Sequence, residues 1–152
     1  MIDLKSLEIL RILQKKARIP NIEVSRQVGL APSAVLERVK KLEKTRVIDG
    51  YEVTLNPEFF SRSLITYIYI TCIPEKEEAV GEKLAQIPDV QEVHFVAGND
   101  CYLTKVRCKD SNALGEILKN KIKTIDGVLK TRSEIVLSTN KETSRFPLPK
   151  SI

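Results

Sequence analysis

The chain has little of what most catalytic and metal centres are made from. It carries one histidine, His94, and three cysteines, Cys72, Cys101 and Cys108. The cysteines stand at no metal-ligand spacing, and a single histidine completes no recognised zinc set with them. An odd number of cysteines also argues against a disulfide framework, so free thiols in a reducing cytoplasm are expected. No apolar run is long enough to span a bilayer, and the opening MIDLKSLEIL lacks the basic and continuous apolar regions of a signal peptide. There is no phosphate-binding loop, no nucleophile–base pair, no internal repeat and no low-complexity segment. The expectation is a protein that is not an enzyme, has no catalytic residue, cofactor or metal, and does not bind a membrane.

What is present is an ordinary globular composition with a basic bias. Of 152 residues, 42% are hydrophobic and 30% charged, a length that suits one domain or two small ones. The net charge is +5 and the pI about 9.1, which fits a polyanionic partner. Its distribution is more informative. Arg26, Arg38, Lys40, Lys41, Lys44 and Arg46 stand against only Glu37 and Glu43 between positions 26 and 46.

That stretch contains Gly29–Glu43, GLAPSAVLERVKKLE. Pro32 suits a first helical position, and Val35, Val39 and Leu42 recur at helical spacing as a buried stripe. At about 100° per residue, Ser33, Glu37, Lys40, Lys41 and Lys44 fall on the opposite face, with Arg38 on one flank. Upstream, Asp3 can cap a helix over 4–16 that buries Leu7, Ile9, Leu10 and Leu13. A short second helix from Pro20 to about Val28 buries Ile22, Val24 and Val28, and Gly29 turns into the third. Three short helices, the last two closely joined, make a helix-turn-helix plan. Residues 46–55 then alternate in polarity around Asp49-Gly50, predicting a two-stranded hairpin, or wing. Asn56-Pro57 opens a linker to about Ser63.

The second half has a different character. LITYIYITCI, residues 64–73, is a strand apolar on both faces, with Leu64, Ile68, Ile70 and Cys72 on one and Ile65, Tyr67, Tyr69 and Ile73 on the other. Helices can cover one face; the economical cover for the second is the same sheet of another subunit. A helix over 75–87, buried through Ala79, Val80, Leu84 and Ile87, is followed by strands 90–97 and 101–108 around a turn at Gly98–Asp100. A helix over 112–125 and a last strand, 128–138, complete a split βαβ, or ferredoxin-like, order. The tail from Asn140 reads as an edge strand or as loose chain.

With these residues in place, the chain resembles the Lrp/AsnC (feast/famine) family of prokaryotic transcription regulators along nearly its whole length. In the first half the resemblance rests on Asp3, Ile9-Leu10, Gln14, Ala17-Arg18, Glu23, Val28-Gly29-Leu30, Arg38, Val39, Leu42-Glu43, Val47-Ile48 and Gly50-Tyr51. In the second it rests on Gly98, Asp110, Gly127-Val128, Thr131 and Phe146-Pro147-Leu148. The family fold it implies is α+β: a winged helix-turn-helix DNA-binding domain (1–55), a linker (56–63), and a ferredoxin-like βαββαβ, RAM-type, effector-binding and oligomerisation domain (64–152). The sequence departs from the pattern in four places. Pro20 and Ala31 replace the usual Ser or Thr caps of the second and third helices. Arg46 replaces the glycine that ends the recognition helix, and must take a strained dihedral or end the helix differently. In the sensor loop, Gly98-Asn99-Asp100-Cys101 puts Cys101 where the family has an acid, although a one-residue shift of the hairpin would present Asp100 instead.

The resemblance implies a cytoplasmic, nucleoid-associated regulator of double-stranded DNA. It would be a homodimer assembling to a tetramer or octamer, modulated by an amino acid or related metabolite between subunits. Phosphate contacts are expected from Lys40, Lys41, Lys44, Arg46 and Arg26, and base reading from Ser33, Ala34, Glu37 and Arg38. Arg38 can equally reach guanine, a phosphate, or Glu43 as a brace. Gly98, Asn99, Asp100 and Cys101 are the expected effector loop; without the resemblance they are a hairpin turn. His94 reads as a packed interface residue. The cysteines read as small buried hydrophobes, Cys101 alone standing where a thiol could be exposed and reactive. Two other classes fit the same plan. One is an enzyme like the sirohaem decarboxylases, using His94 with Arg107 or Arg132; the other is an architectural DNA binder without an effector.

Overall fold

A computed structural model describes residues 2–150. Asp3 opens helix α1, Leu4–Lys15, by accepting the Ser6 amide at 2.8 Å, the cap expected of a short acid before an apolar stripe. Helix α2, Asn21–Val28, ends at Gly29, whose φ of 67° is the left-handed turn that glycine takes without penalty. Helix α3 spans Pro32–Lys44. Pro20 and Ala31, at the caps of α2 and α3, supply no side-chain hydrogen bond. The three helices close on Ile9, Leu13, Val24, Val28, Val35 and Val39, with Leu7, Leu10 and Leu42 also buried. Ile22 corrects the sequence reading: it is exposed, because it lies about 200° around α2 from Val24.

The end of α3 explains the missing glycine. Val47 N–H donates to Leu42 O at 2.9 Å and Arg46 N–H to Glu43 O at 3.0 Å, the paired bonds of a Schellman turn. That turn needs a left-handed residue, and Arg46 supplies it with φ 58°. A side chain there costs about 1–2 kcal/mol.

The hairpin expected over 46–55 does not form. Residues 49–56 run without strand pairing, and Gly50 is not among the positive-φ residues that a two-residue hairpin turn requires. Val53 and Leu55 are exposed, so pairing these short segments would bury little, and an isolated hairpin is marginal at best. Tyr51 is instead tied to α3, its Oη donating to Glu43 Oε1 at 2.9 Å. Partial burial, and then that carboxylate, push the Tyr51 phenol up to about 12.

The chain divides into two compact units, Met1–Thr54 with Glu142–Ile152, and Leu55–Lys141. The tail therefore groups with the helical unit rather than with the sheet, as a boundary of 64–152 would have it. Its described residues form no strand; Arg145 donates to Lys15 O at 3.3 Å and Arg11 to Pro149 O. The outermost ends of the expected domains, residues 1, 151 and 152, lie outside the described residues.

The second unit runs β1 (Leu64–Cys72), α4 (Glu77–Ala85), β2 (Val90–Phe95), β3 (Tyr102–Cys108), α5 (Ser111–Ile117) and β4 (Val128–Ile135). A π-turn over Leu118–Ile122 extends α5. The sheet order is β2-β3-β1-β4, antiparallel throughout, as the ferredoxin-like order predicts. Asp110 caps α5 through the Ala113 amide at 2.9 Å. Ile68, Ile70 and Cys72 on one face of β1 join Val80, Leu84, Leu114, Ile117 and Ile122 in the core. Ala79 is exposed, not buried as expected, because it stands about 100° from Val80 on α4. On the other face of β1, Tyr67 and Tyr69 are only half-buried. Across the ladders they face Lys105 and Leu103 on β3 and Glu134 and Arg132 on β4.

Candidate DNA-recognition face and sensor loop

Because Val35, Val39 and Leu42 are held in the core, α3 turns Ser33, Glu37, Lys40, Lys41 and Lys44 to solvent. Arg26 on α2 and Arg46 after α3 are exposed as well. Ala34 is half-buried. Among the described residues, Lys40, Lys41, Lys44 and Arg26 enter no ion pair. Arg46 lies 3.4 Å from Asp49 Oδ1, with both side chains more than four-fifths exposed, a geometry that holds neither group firmly.

Arg38 is a different case, because its guanidinium turns inward. It donates to Asp3 Oδ2 and, at 3.3 Å, to Ser6 Oγ. The Arg38 guanidinium, and then the Ser6 amide, hold the Asp3 carboxyl well below the usual carboxylate range. The brace runs from α3 to the cap of α1, not to Glu43, whose carboxylate is taken by Tyr51. Sequence reasoning had no signal for this pairing across 35 positions.

The sensor loop divides at its centre. Gly98 and Asn99 are exposed, while Asp100 and Cys101 are half-buried and reach opposite faces of β1, Asp100 to Thr71 and Cys101 to Cys72. Asp100 Oδ1 accepts from Thr71 Oγ1 at 2.8 Å, and its Oδ2 lies 3.9 Å from Arg132. The Arg132 guanidinium in turn sits 3.9 Å over the ring of Tyr69. Asp100 is thus the acid presented on the sheet face with the tyrosines. Cys101 turns the other way: its Sγ accepts from the Cys72 amide at 3.3 Å and lies 3.7 Å from Glu77 Oε1.

The side chains named for an enzymatic reading each have local partners. His94 is exposed in the single chain. Its Nε2 is 3.3 Å from Glu92 Oε2, and Lys105 donates to Glu92 Oε1 at 3.1 Å. Partial burial raises Glu92, but Lys105 and His94 outweigh it and hold the carboxyl below its ordinary value. Arg107 donates to Gln91 Oε1 at 3.1 Å, and Arg132 donates to Glu134 Oε1 while lying beside Tyr69 and Asp100.

The fold also does what cysteine spacing in the sequence did not foretell. The donor atoms of Cys72, Glu77 and Cys101 lie within 4.8 Å of one another. Cys108 is buried elsewhere, its Sγ 3.6 Å from Asp110 O. Burial, and then Cys101, push the Cys72 thiol up to about 12, so it carries its proton at neutral pH.

Comparison with known proteins agrees with both halves. Residues 2–49 match a family model described as winged helix-turn-helix DNA-binding, and residues 66–146 match the Lrp/AsnC ligand binding domain. The leucine-responsive regulatory protein of Escherichia coli K12 is 36% identical over 141 residues, covering 91% of this chain and 86% of its own. A feast or famine regulatory protein of M. tuberculosis, solved with L-methionine, superposes with a TM-score of 0.91 at 31% identity, covering 98% of this chain and 100% of that one. A Neisseria meningitidis transcriptional regulator, also solved with L-methionine, gives 0.92 at 28% identity over 97% of each chain. A helix-turn-helix with a free cationic helix face, an antiparallel ferredoxin-like sheet and these matches across both place the chain in the Lrp/AsnC family of transcription regulators.

Proposed function

We propose that this protein regulates transcription in the cytoplasm by binding double-stranded DNA through α3, acting by binding rather than by catalysis. The observation that carries the reading is the run of exposed cations, Lys40, Lys41 and Lys44, without acidic partners among the described residues and set beside Arg26 and Arg46. These residues supply phosphate contacts; Ser33, Ala34 and Glu37 face the bases. Arg38 serves as the brace that fixes α3 on α1. The half-buried tyrosine face of the sheet pairs with its equivalent in a second copy, giving a homodimer that assembles further. Its two-fold axis suits half-sites about 34–36 Å apart or a multiple of that.

The effector is a small amino acid or related metabolite held at the Gly98–Cys101 loop. Asp100 offers a carboxylate to its ammonium and Arg132 a guanidinium to its carboxylate, and two relatives were solved with L-methionine. A ligand that binds one arrangement of subunits better than another shifts the equilibrium between them.

The test is the salt dependence of binding to the DNA upstream of its own gene. Each cation withdrawn from a phosphate lowers the log–log slope by about 0.9, so Lys40→Ala/Lys41→Ala/Lys44→Ala should flatten it by about 2.7. Wild type without salt-sensitive binding would sink the DNA reading. If no amino acid changes thermal stability or DNA affinity, and Asp100→Ala alters neither, the effector half fails and the architectural alternative stands.

A further inference from the structure

Cys72, Glu77 and Cys101 come together from the end of β1, the start of α4 and the residue before β3. Glu77 is half-buried, yet among the described residues its carboxylate pairs with no Lys, Arg or His. What it faces is the Cys101 thiol, 3.7 Å away. A half-buried carboxylate without a cation, set beside two thiols, is a poor arrangement for a packing role and a good one for a metal.

The spacing agrees. Tetrahedral bonds of about 2.3 Å to sulfur and about 2.1 Å to oxygen put S···O edges at about 3.6 Å and S···S edges at about 3.8 Å. The S···O separation already stands at 3.7 Å, and all three donors fall within 4.8 Å, so small side-chain rotations close the set. The supports are built in. The Cys72 amide donates to Cys101 Sγ at 3.3 Å, and Tyr102 Oη donates to Glu77 O at 3.0 Å, fixing the start of α4. That last bond needs Gly81, where a Cβ would fall 2.4 Å from Tyr102 Oη. Ligands with hydrogen-bonded surroundings, two of the three on regular elements, suit an ordered metal site.

We propose that Cys72, Glu77 and Cys101 form a site for one thiophilic divalent cation of the zinc class. Three protein donors leave a fourth position for water or a second ligand. Two thiolates select such an ion over magnesium or calcium. The balance is simple: the ion brings two positive charges, two thiol protons leave, and the net charge of the cluster is unchanged. Binding therefore weakens as pH falls. Because the site adjoins the loop proposed for the effector, any influence on DNA rests on that reading; the binding of the ion does not.

The experiment is titration of the full reduced chain with Zn2+ and, separately, Co2+ in a glutathione buffer. It reads stoichiometry, protons released and the thiolate-to-cobalt charge-transfer band. The expected result is one ion per chain, about two protons released, and a tetrahedral cobalt spectrum. Cys101→Ser should abolish the band or halve it, and Glu77→Gln should weaken binding about tenfold or more while leaving both thiols. Cys108→Ser should change nothing, which guards against a general effect of removing a buried thiol. No charge-transfer band, a band left at full intensity by Cys101→Ser, or Cys72 and Cys101 recovered as a disulfide from that buffer would each overturn the proposal. None of these outcomes depends on whether the chain binds DNA.

Discussion

Replacing Arg46 by glycine should make the protein more stable and a weaker DNA binder at once. Arg46 holds φ 58° in the turn that ends α3, where a side chain costs about 1–2 kcal/mol. Glycine removes that cost but adds about 0.4–1 kcal/mol of freedom to the unfolded chain, leaving a net gain of about 0.8 kcal/mol at the middle of the two ranges. For a chain of this size one kcal/mol moves Tm by about 2–4 °C, so the shift expected is about 1–4 °C upward. The lost ion pair with Asp49, at 3.4 Å between exposed groups, takes back little. Arg46→Ala separates the two effects, since it discards the charge but keeps the backbone cost. Thermal unfolding of the three proteins should rank glycine first, with alanine near wild type. In DNA titrations at several salt concentrations, both variants should show slopes reduced by about 0.9 if Arg46 touches a phosphate. A glycine variant no more stable than the alanine one would refute the backbone argument. Unchanged salt slopes would remove Arg46 from the proposed interface and leave the stability argument standing.

Ala31→Ser should stabilise the helical unit by about 1 kcal/mol, because the cap of α3 has extended backbone and no side-chain acceptor; urea unfolding measures it. Gly81→Ala should cost about 1–3 kcal/mol, since the new Cβ would lie 2.4 Å from Tyr102 Oη. The cost should shrink in a Tyr102→Leu background. Asp89 accepts from Lys121 at 2.8 Å and from Arg62, and these partners, Lys121 foremost, hold its carboxyl below the ordinary value against the opposing effect of burial. Its contribution is therefore complete above about pH 4, the unfolded value, and is lost as pH falls toward the lower folded value. Asp89→Asn should cost about 1.5–3 kcal/mol at neutral pH and flatten the acid limb of the stability–pH curve. An acid limb identical to wild type would show that the Arg62–Asp89–Lys121 cluster does not couple to folding.

The parts of this fold that were legible in the sequence are those whose burial is completed by their own neighbours along the chain. The stripe Val35, Val39, Leu42 fixed both the core face and, by subtraction, the cationic face of α3. The strand at 64–73, apolar on both faces, announced a sheet with one face packed on helices, and Ile68, Ile70 and Cys72 supply that face. Where burial comes from residues distant in sequence, periodicity carries no signal. Arg38 looked free on a helix flank and is committed to Asp3 and Ser6. Residues 46–55 alternate like strands, but alternation describes which side chains would share a face, not whether a partner exists to cover it. The tail, which read as an edge strand or as loose chain, showed no periodicity and is held through Arg11 and Arg145.

The sensor loop shows the same limit at the scale of one residue. A linear alignment of Gly98-Asn99-Asp100-Cys101 says only that the acid has moved by one position, and in extended chain one position is a change of face. The structure turns that shift into two consequences. Asp100 lies on the tyrosine face, accepting from Thr71 and 3.9 Å from Arg132, so a carboxylate still stands there. Cys101 is carried to the other side, against Cys72 and Glu77, where a family acid would have added a second carboxylate beside Glu77. Exchanging Asp100 and Cys101 should therefore affect both faces. Two carboxylates beside Cys72 would repel one another and destabilise the unit, while the tyrosine face would lose its only contribution from this loop. An exchanged variant that keeps wild-type stability would show that the two faces are less sharply divided than these distances imply.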